Sequence, residues 1–174
     1  MKIGRLSSGR GGLVELLIVS DTSPLRALQV LSLLGLLEPL YSQVLIPPAV
    51  YTELSRARIG VPPLDIAQHS FIEVRSPKLV RGFPRLGPGE SEAISLALEL
   101  GATELLIDEV GARSVATTLG MKPIGVLGVL IQGKQRGLVQ QVAPLIEQLQ
   151  QRISFRVSDA VVAEVLRQAG ESRP

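Results

Sequence analysis

The sequence has no cysteine, no tryptophan, a single histidine (His69), three Phe and two Tyr. Without cysteine there is no disulfide framework and no thiolate zinc site. One histidine cannot build a multi-histidine metal centre. Any metal must therefore be held by oxygen ligands, which favours Mg²⁺ or Mn²⁺ over zinc. So few aromatics argue against a base-stacking platform for single strands. Long hydrophobic runs are also missing: Glu15 sits beside "LLIV" and Glu38 interrupts "LSLLGLLEPL", so no stretch reaches the ~20 apolar residues of a membrane span. Lys2, Arg5 and Arg10 are set among glycines and serines, which does not make a signal peptide. These absences fit a protein of the reducing cytoplasm.

What is present is an aliphatic chain of 174 residues, 45% hydrophobic, enough for one domain with a core of Leu, Val, Ile and Ala. The net charge of +2 permits nucleic acid as a partner without demanding it. Residues 1–13, "MKIGRLSSGRGGL", read as a flexible lead, with a translation start near Val14 as one expectation.

From Leu16 the chain alternates strand and helix. "LLIVS" is an unbroken apolar run, as in a strand buried on both faces of a parallel sheet. Ser23 is placed to cap the next helix, with Pro24 at its first position; that helix should run to about Leu34 and end at Gly35. "VLI" (44–46) gives a second strand and a Pro-led helix to about Ser55, and "FIEVRS" a short edge strand. "PGESEAISLALELG" is a strong helix stopped by Gly101, "TELLID" a buried strand, and "EVGARSVATTLG" the helix after it. A strand in "KPIGV" and three more helices follow, the last starting near Ser158. This order predicts an α/β fold: three α/β/α layers around a central parallel sheet, Rossmann-like, in one domain over 14–170.

Two buried strands end on a carboxylate, Asp21 and Asp108. In an open parallel sheet ligands bind at the carboxyl ends of the strands, so adjacency of these two would set both acids at one crevice. Glu53 rides the helix after strand two, and Glu90 and Glu92 lie in the first turn of the central helix. Clustered carboxylates repel unless a cation neutralises them. A hard divalent ion takes carboxylate oxygens at about 2.0–2.6 Å and there polarises a phosphoryl oxygen or activates water. Each residue also has a plain structural role open to it: Asp108 as cap of the helix starting at Glu109, Glu90 and Glu92 as first-turn acids, Arg113 as partner of Glu109 one turn away. A haloacid-dehalogenase-type phosphatase would need Asp where Ser23 stands, and a receiver domain would need a paired acid on strand one.

In "IVSDTSPL", "VLIPPAVYTEL", "LGPGESEAISLALELGATELLIDEVGARSVATTLG" and "PIGVLGVLIQGKQRGLV" the sequence resembles the PIN-domain family, in particular prokaryotic members related to VapC-type toxins. The resemblance implies a Mg²⁺- or Mn²⁺-dependent endoribonuclease, usually the toxin of a pair blocked by a co-expressed antitoxin protein, that tends to form a homodimer. It places the family's acids on Asp21, Glu53, Glu92 (with Glu90 as fallback) and Asp108, and the small hydroxyl on Ser23. Asp21, Glu92 and Asp108 would hold the metal. Val110 stands where many members carry a further Asp, with Glu109 beside it as a substitute, and Leu106 where members typically have Thr. Arg81, Arg85 and Arg113 are candidates for substrate phosphate. The missing acid at Val110 leaves an alternative open: a catalytically degenerate PIN fold that binds RNA or protein.

Overall fold

The computed structural model describes residues 17–58 and 60–171; the expected lead over 1–13 and the start near Val14 lie outside them. Five parallel strands form one sheet: β1 (Leu17–Ser20), β2 (Gln43–Ile46), β3 (Ile72–Val74), β4 (Glu104–Leu106) and β5 (Lys122–Ile124), in the spatial order β3-β2-β1-β4-β5. The chain lays strands outward from β1 in one direction, then returns to its other side with β4. The order thus reverses between β1 and β4, where the crevice of an open α/β sheet lies.

The helices are α1 (Thr22–Val30), α2 (Leu37–Tyr41), α3 (Pro48–Leu54), α4 (Pro88–Glu99), α5 (Val110–Thr118), α6 (Val126–Gln135), α7 (Ala143–Ile153) and α8 (Asp159–Gln168). Strand alternation feeds two cores. Ile18, Val44, Ile46, Leu106 and Ile124 join residues of α1, α2, α6, α7 and α8 on one side. Val19, Leu45, Leu105 and Ile107 join α4 and α5 on the other. The unbroken apolar reading of strands one and four follows directly, since both faces are covered.

Two local expectations fail for identifiable reasons. Ser23 does not cap α1: Asp21 does, accepting from the Ser23 N–H, so the helix starts at Thr22 and Pro24 takes its third position instead of its first. The helix expected to reach Leu34 ends at Val30, because Ser32 takes a left-handed φ of 57°, and α2 begins afresh after a short 3₁₀ turn, Leu34–Leu36. The expected stops at Gly101 and Gly120 do hold, at φ of 63° and 81°. No helix among the described residues is long and apolar enough to cross a membrane.

Candidate functional site

Asp21 is the first residue past β1, and its N–H donates to the Leu106 carbonyl of β4 at 2.9 Å. The pairing Ser20↔Leu106 sets Asp21 level with Ile107, one residue short of Asp108. The two aspartates therefore stand on neighbouring strands at the carboxyl edge. Alternation separates their surroundings: Asp21 continues the side of Val19, covered by α4, and Asp108 the side of Leu106, covered by α6.

Asp21 is 2% exposed. Burial pushes its carboxyl up to about 7, against the hydrogen bond from the Thr22 backbone, and the charges of Glu90 and Glu53 push the same way. Among the described residues, no lysine or arginine is one of the charges acting on it. Asp108 is also pushed up, to about 6, first by burial; its hydrogen bond with Val126 and the Arg113 charge oppose the rise. Both Asp108 oxygens accept from the Val126 N–H, at 3.1 and 3.2 Å. Asp108 thus caps α6 rather than α5. A side chain on Gly125 would put its Cβ 2.3 Å from Asp108 Oδ1 and 3.1 Å from Arg113 Nη1, so glycine leaves room for both side chains there.

Glu53, near the end of α3, is held twice by α1. The Thr22 hydroxyl donates to Glu53 Oε2 at 2.5 Å. One turn on, the buried Arg26 donates from Nη2 to the Glu53 carbonyl at 2.8 Å and to that of Arg56, and from Nη1 to the Pro62 carbonyl at 2.8 Å. Arg26 satisfies carbonyls left open where α3 ends. On the other side Gly89 lies flat against the carboxylate, where an added Cβ would stand 2.7 Å from Glu53 Oε1. Sequence reasoning missed Thr22, Arg26, Gly89 and Gly125. Only the i, i+4 spacing of Thr22 and Arg26, right after a strand-end acid, hinted at a shared helix face.

The two first-turn acids of α4 divide. Glu92 Oε2 accepts from the Ala49 N–H at 2.8 Å, at the start of α3, and so ties α4 to α3. Glu90 accepts from the Gly87 N–H at 2.5 Å, and its charge is one of the two that act on Asp21. Register had placed Glu92 at the site; the electrostatic neighbour of Asp21 is Glu90. Ser23 meets Asp21 through its backbone N–H, at 3.5 Å. Glu109 turns into its own helix as N-cap of α5, accepting from Ala112 N–H at 2.6 Å. Arg113 passes Glu109 by and donates to the Ile107 carbonyl at 3.0 Å, beside Asp108. Val110 is 79% exposed at this rim. Asp108 and Arg113 open onto a groove of about 840 Å³ between β5, α6 and α8. Arg81 and Arg85 lie exposed on the segment that enters α4. His69 is half-buried with its ring edge-on to Phe71.

Among the described residues, no three acidic or histidine side chains are already drawn into a ligating cluster. The donor chemistry nonetheless fits a hard divalent cation. Asp21 is buried, faces two like charges and, among the described residues, has no side-chain cation acting on it, and the donors there are all oxygens. A parallel α/β sheet with carboxylates gathered at its switch point defines the class. The chain belongs to the PIN-domain family, whose pattern it matches over residues 17–171; PIN domains are nucleases as a class and typically use divalent metal ions. No curated protein and no solved structure matches the chain.

Proposed function

We propose that this protein is a metal-dependent endoribonuclease that hydrolyses RNA phosphodiesters at the carboxyl edge between β1 and β4. The observation that carries this reading is Asp21, a carboxylate buried beside Glu53 and Glu90 with no cationic side chain among the described residues acting on it. Asp21, Glu53 and Glu90 would hold Mg²⁺ or Mn²⁺ on one side of the crevice, with Asp108 on the other and Glu92 setting α4 against α3. Such an ion, when bound, polarises the scissile phosphoryl group and lowers the pKa of an attacking water. The Thr22 hydroxyl holds the Glu53 carboxylate, and Arg26 holds the Glu53 backbone carbonyl one turn further along α1. Arg113, held beside Asp108, is placed to meet a substrate phosphate.

The finer reading is that of a toxin related to VapC-type proteins, acting in the cytoplasm as a homodimer and blocked by a co-expressed antitoxin. The groove at Asp108, with Leu127, Ile131, Val157 and Val161 in its walls, suits an apolar segment of such a partner. Purified protein should cut a mixed-sequence RNA with Mn²⁺ or Mg²⁺ and stop in EDTA, and Asp21→Asn should lower the rate by roughly 100-fold or more, as expected for a lost metal ligand. Equal cleavage by the variant, with contaminating nucleases excluded, would remove the proposal. The second reading, a non-cleaving PIN fold that binds RNA or protein, is favoured by one feature: Val110 stands exposed where an acid would be, while Glu109 is engaged as a cap. RNA binding without cleavage at any divalent-ion concentration would support it.

A further inference from the structure

Between β3 and α4 the chain runs through "VRSPKLVRGFPRLGPG", residues 74–89, with four cationic side chains and no acid. The segment is a fixed strap. It leaves the carboxyl edge of β3, where the Arg75 N–H donates to the Ile46 carbonyl at 2.9 Å. The Lys78 N–H donates to Glu99 Oε2 at 2.6 Å, at the far end of α4, and the Arg81 N–H to Ser95 Oγ at 2.9 Å, one turn nearer its start. The strap therefore doubles back along α4, a helix of 12 residues and about 18 Å at 1.5 Å per residue. Phe83 and Leu86 anchor it against the α4 core. It ends where the Gly87 N–H meets Glu90, at the acidic corner.

The backbone is thus fastened while the charges stay free. Arg75, Lys78, Arg81 and Arg85 are exposed, and among the described residues none of the four side chains has a hydrogen bond or ion pair. Arg85 holds a left-handed φ of 70° without being glycine, a conformation that aims its side chain at some backbone cost. Leu79 and Val80, 68% and 50% exposed, lie between the charges. A line of unpaired cations on a rigid support, leading to the acidic corner of Glu90 and Asp21, is what a polyanion follows toward a site that would otherwise repel it.

We propose that the strap from Arg75 to Arg85 is the track on which the single-stranded RNA substrate lies, its phosphates meeting these four side chains upstream of the acids at Asp21 and Glu90. The proposal rests on the ribonuclease reading and adds where the strand runs. A labelled 12-nucleotide single-stranded RNA, titrated with the full chain in EDTA so that nothing is cut, gives the affinity as a function of salt. Each phosphate neutralised on a single strand contributes about −0.7 to the slope of log K against log salt. Replacing all four residues by Gln (Arg75→Gln, Lys78→Gln, Arg81→Gln, Arg85→Gln) should reduce the steepness by about 2 to 3 and weaken binding at least roughly tenfold at low salt. Exchanging Arg for Lys and Lys for Arg at the same positions should keep the slope, and unaltered melting temperatures would show both variants folded.

An unchanged slope in the Gln variant overturns the proposal. So does tighter binding of the wild type to anionic phospholipid vesicles than to RNA, lost in the Gln variant, since the strap would then read a lipid surface. Asp21→Asn separates the two readings. If it stops cleavage while the Gln variant binds RNA with full slope, the track falls and the nuclease stands. If it cuts normally while the Gln variant loses its slope, the nuclease reading falls and the strap remains an RNA surface.

Discussion

Arg26 is buried, yet two of its bonds go to backbone carbonyls at the end of α3 and a third to that of Pro62 in the loop beyond, and its Nε has no partner among the described residues. Its guanidinium works as a C-cap for the helix that carries Glu53. Arg26→Ala would leave those carbonyls open and remove packing, so unfolding in urea should show a loss of about 2–4 kcal/mol. Thr22→Val keeps the volume and removes the hydroxyl; it should leave stability within about 1 kcal/mol while lowering metal-dependent cleavage more than tenfold, because the Glu53 carboxylate is no longer held. Equal loss of both in the Thr22 variant would make that contact merely structural. Glu90→Gln and Glu92→Gln form the paired test on α4. The first should weaken Mn²⁺ affinity, as expected when a neighbour of the buried acid is neutralised. The second removes only the charge from the tie to Ala49 N–H, since the Gln Oε1 can still accept there; it should cost less than about 1 kcal/mol of stability and leave metal affinity nearly intact. From the sequence, the strand-end acids could be read because a run of Leu, Ile and Val ending in Asp is an odd thing to bury. The choice between Glu90 and Glu92 could not, because both satisfy the same first-turn preference and only the position of α3 separates them.

At the scale of elements, most strands and helices were legible from apolar runs and from glycines at helix ends. Helix starts were less so. Four cap-forming residues follow one another in "SDTS", and Asp21 won because its carboxylate lies at the end of β1, where the Thr22 and Ser23 N–H groups turn toward it. The same competition recurs at Asp108: the nearest helix is α5, yet the carboxylate crosses to α6 because Glu109 already caps α5. The C-terminal clip had no sequence signal. Glu171 accepts from the Val142 and Ala143 N–H groups at 2.7 and 3.0 Å and pairs with Lys134 at 3.2 Å, so it caps α7 from 28 residues away. Glu171→Ala should lower stability by about 1–2 kcal/mol, as for the loss of an N-cap, and thermal melting should show it; an unchanged midpoint would mean that water replaces the clip without cost.

For the whole molecule the central fact is a folded state that carries an unfavourable charge. The Asp21 carboxyl is raised from 3.8 to about 7. The folded state therefore binds more protons than the unfolded chain between those values. The penalty is absent below about pH 4, grows as pH rises, and is complete above about pH 7, where it amounts to roughly 4 kcal/mol. Asp21→Asn should accordingly melt higher than the wild type at pH 8 and equal it near pH 4. A divalent cation removes the same penalty in the wild type: at 100 times its dissociation constant it should add about 2.7 kcal/mol, several degrees in melting temperature, at pH 8 and little near pH 5, where the proton competes. A parallel sheet was foreseeable from the alternation of strand and helix, whereas the adjacency of the strands ending in Asp21 and Asp108 was only a condition, which the order β3-β2-β1-β4-β5 meets. The separate surroundings of the two acids were not foreseeable, because they depend on which side of the sheet each residue takes one step beyond its strand. Calorimetric titration of Mn²⁺ at pH 8 into the wild type and Asp21→Asn tests the account most directly. Saturable binding that the substitution abolishes is the predicted result, and equal binding by both proteins would contradict it.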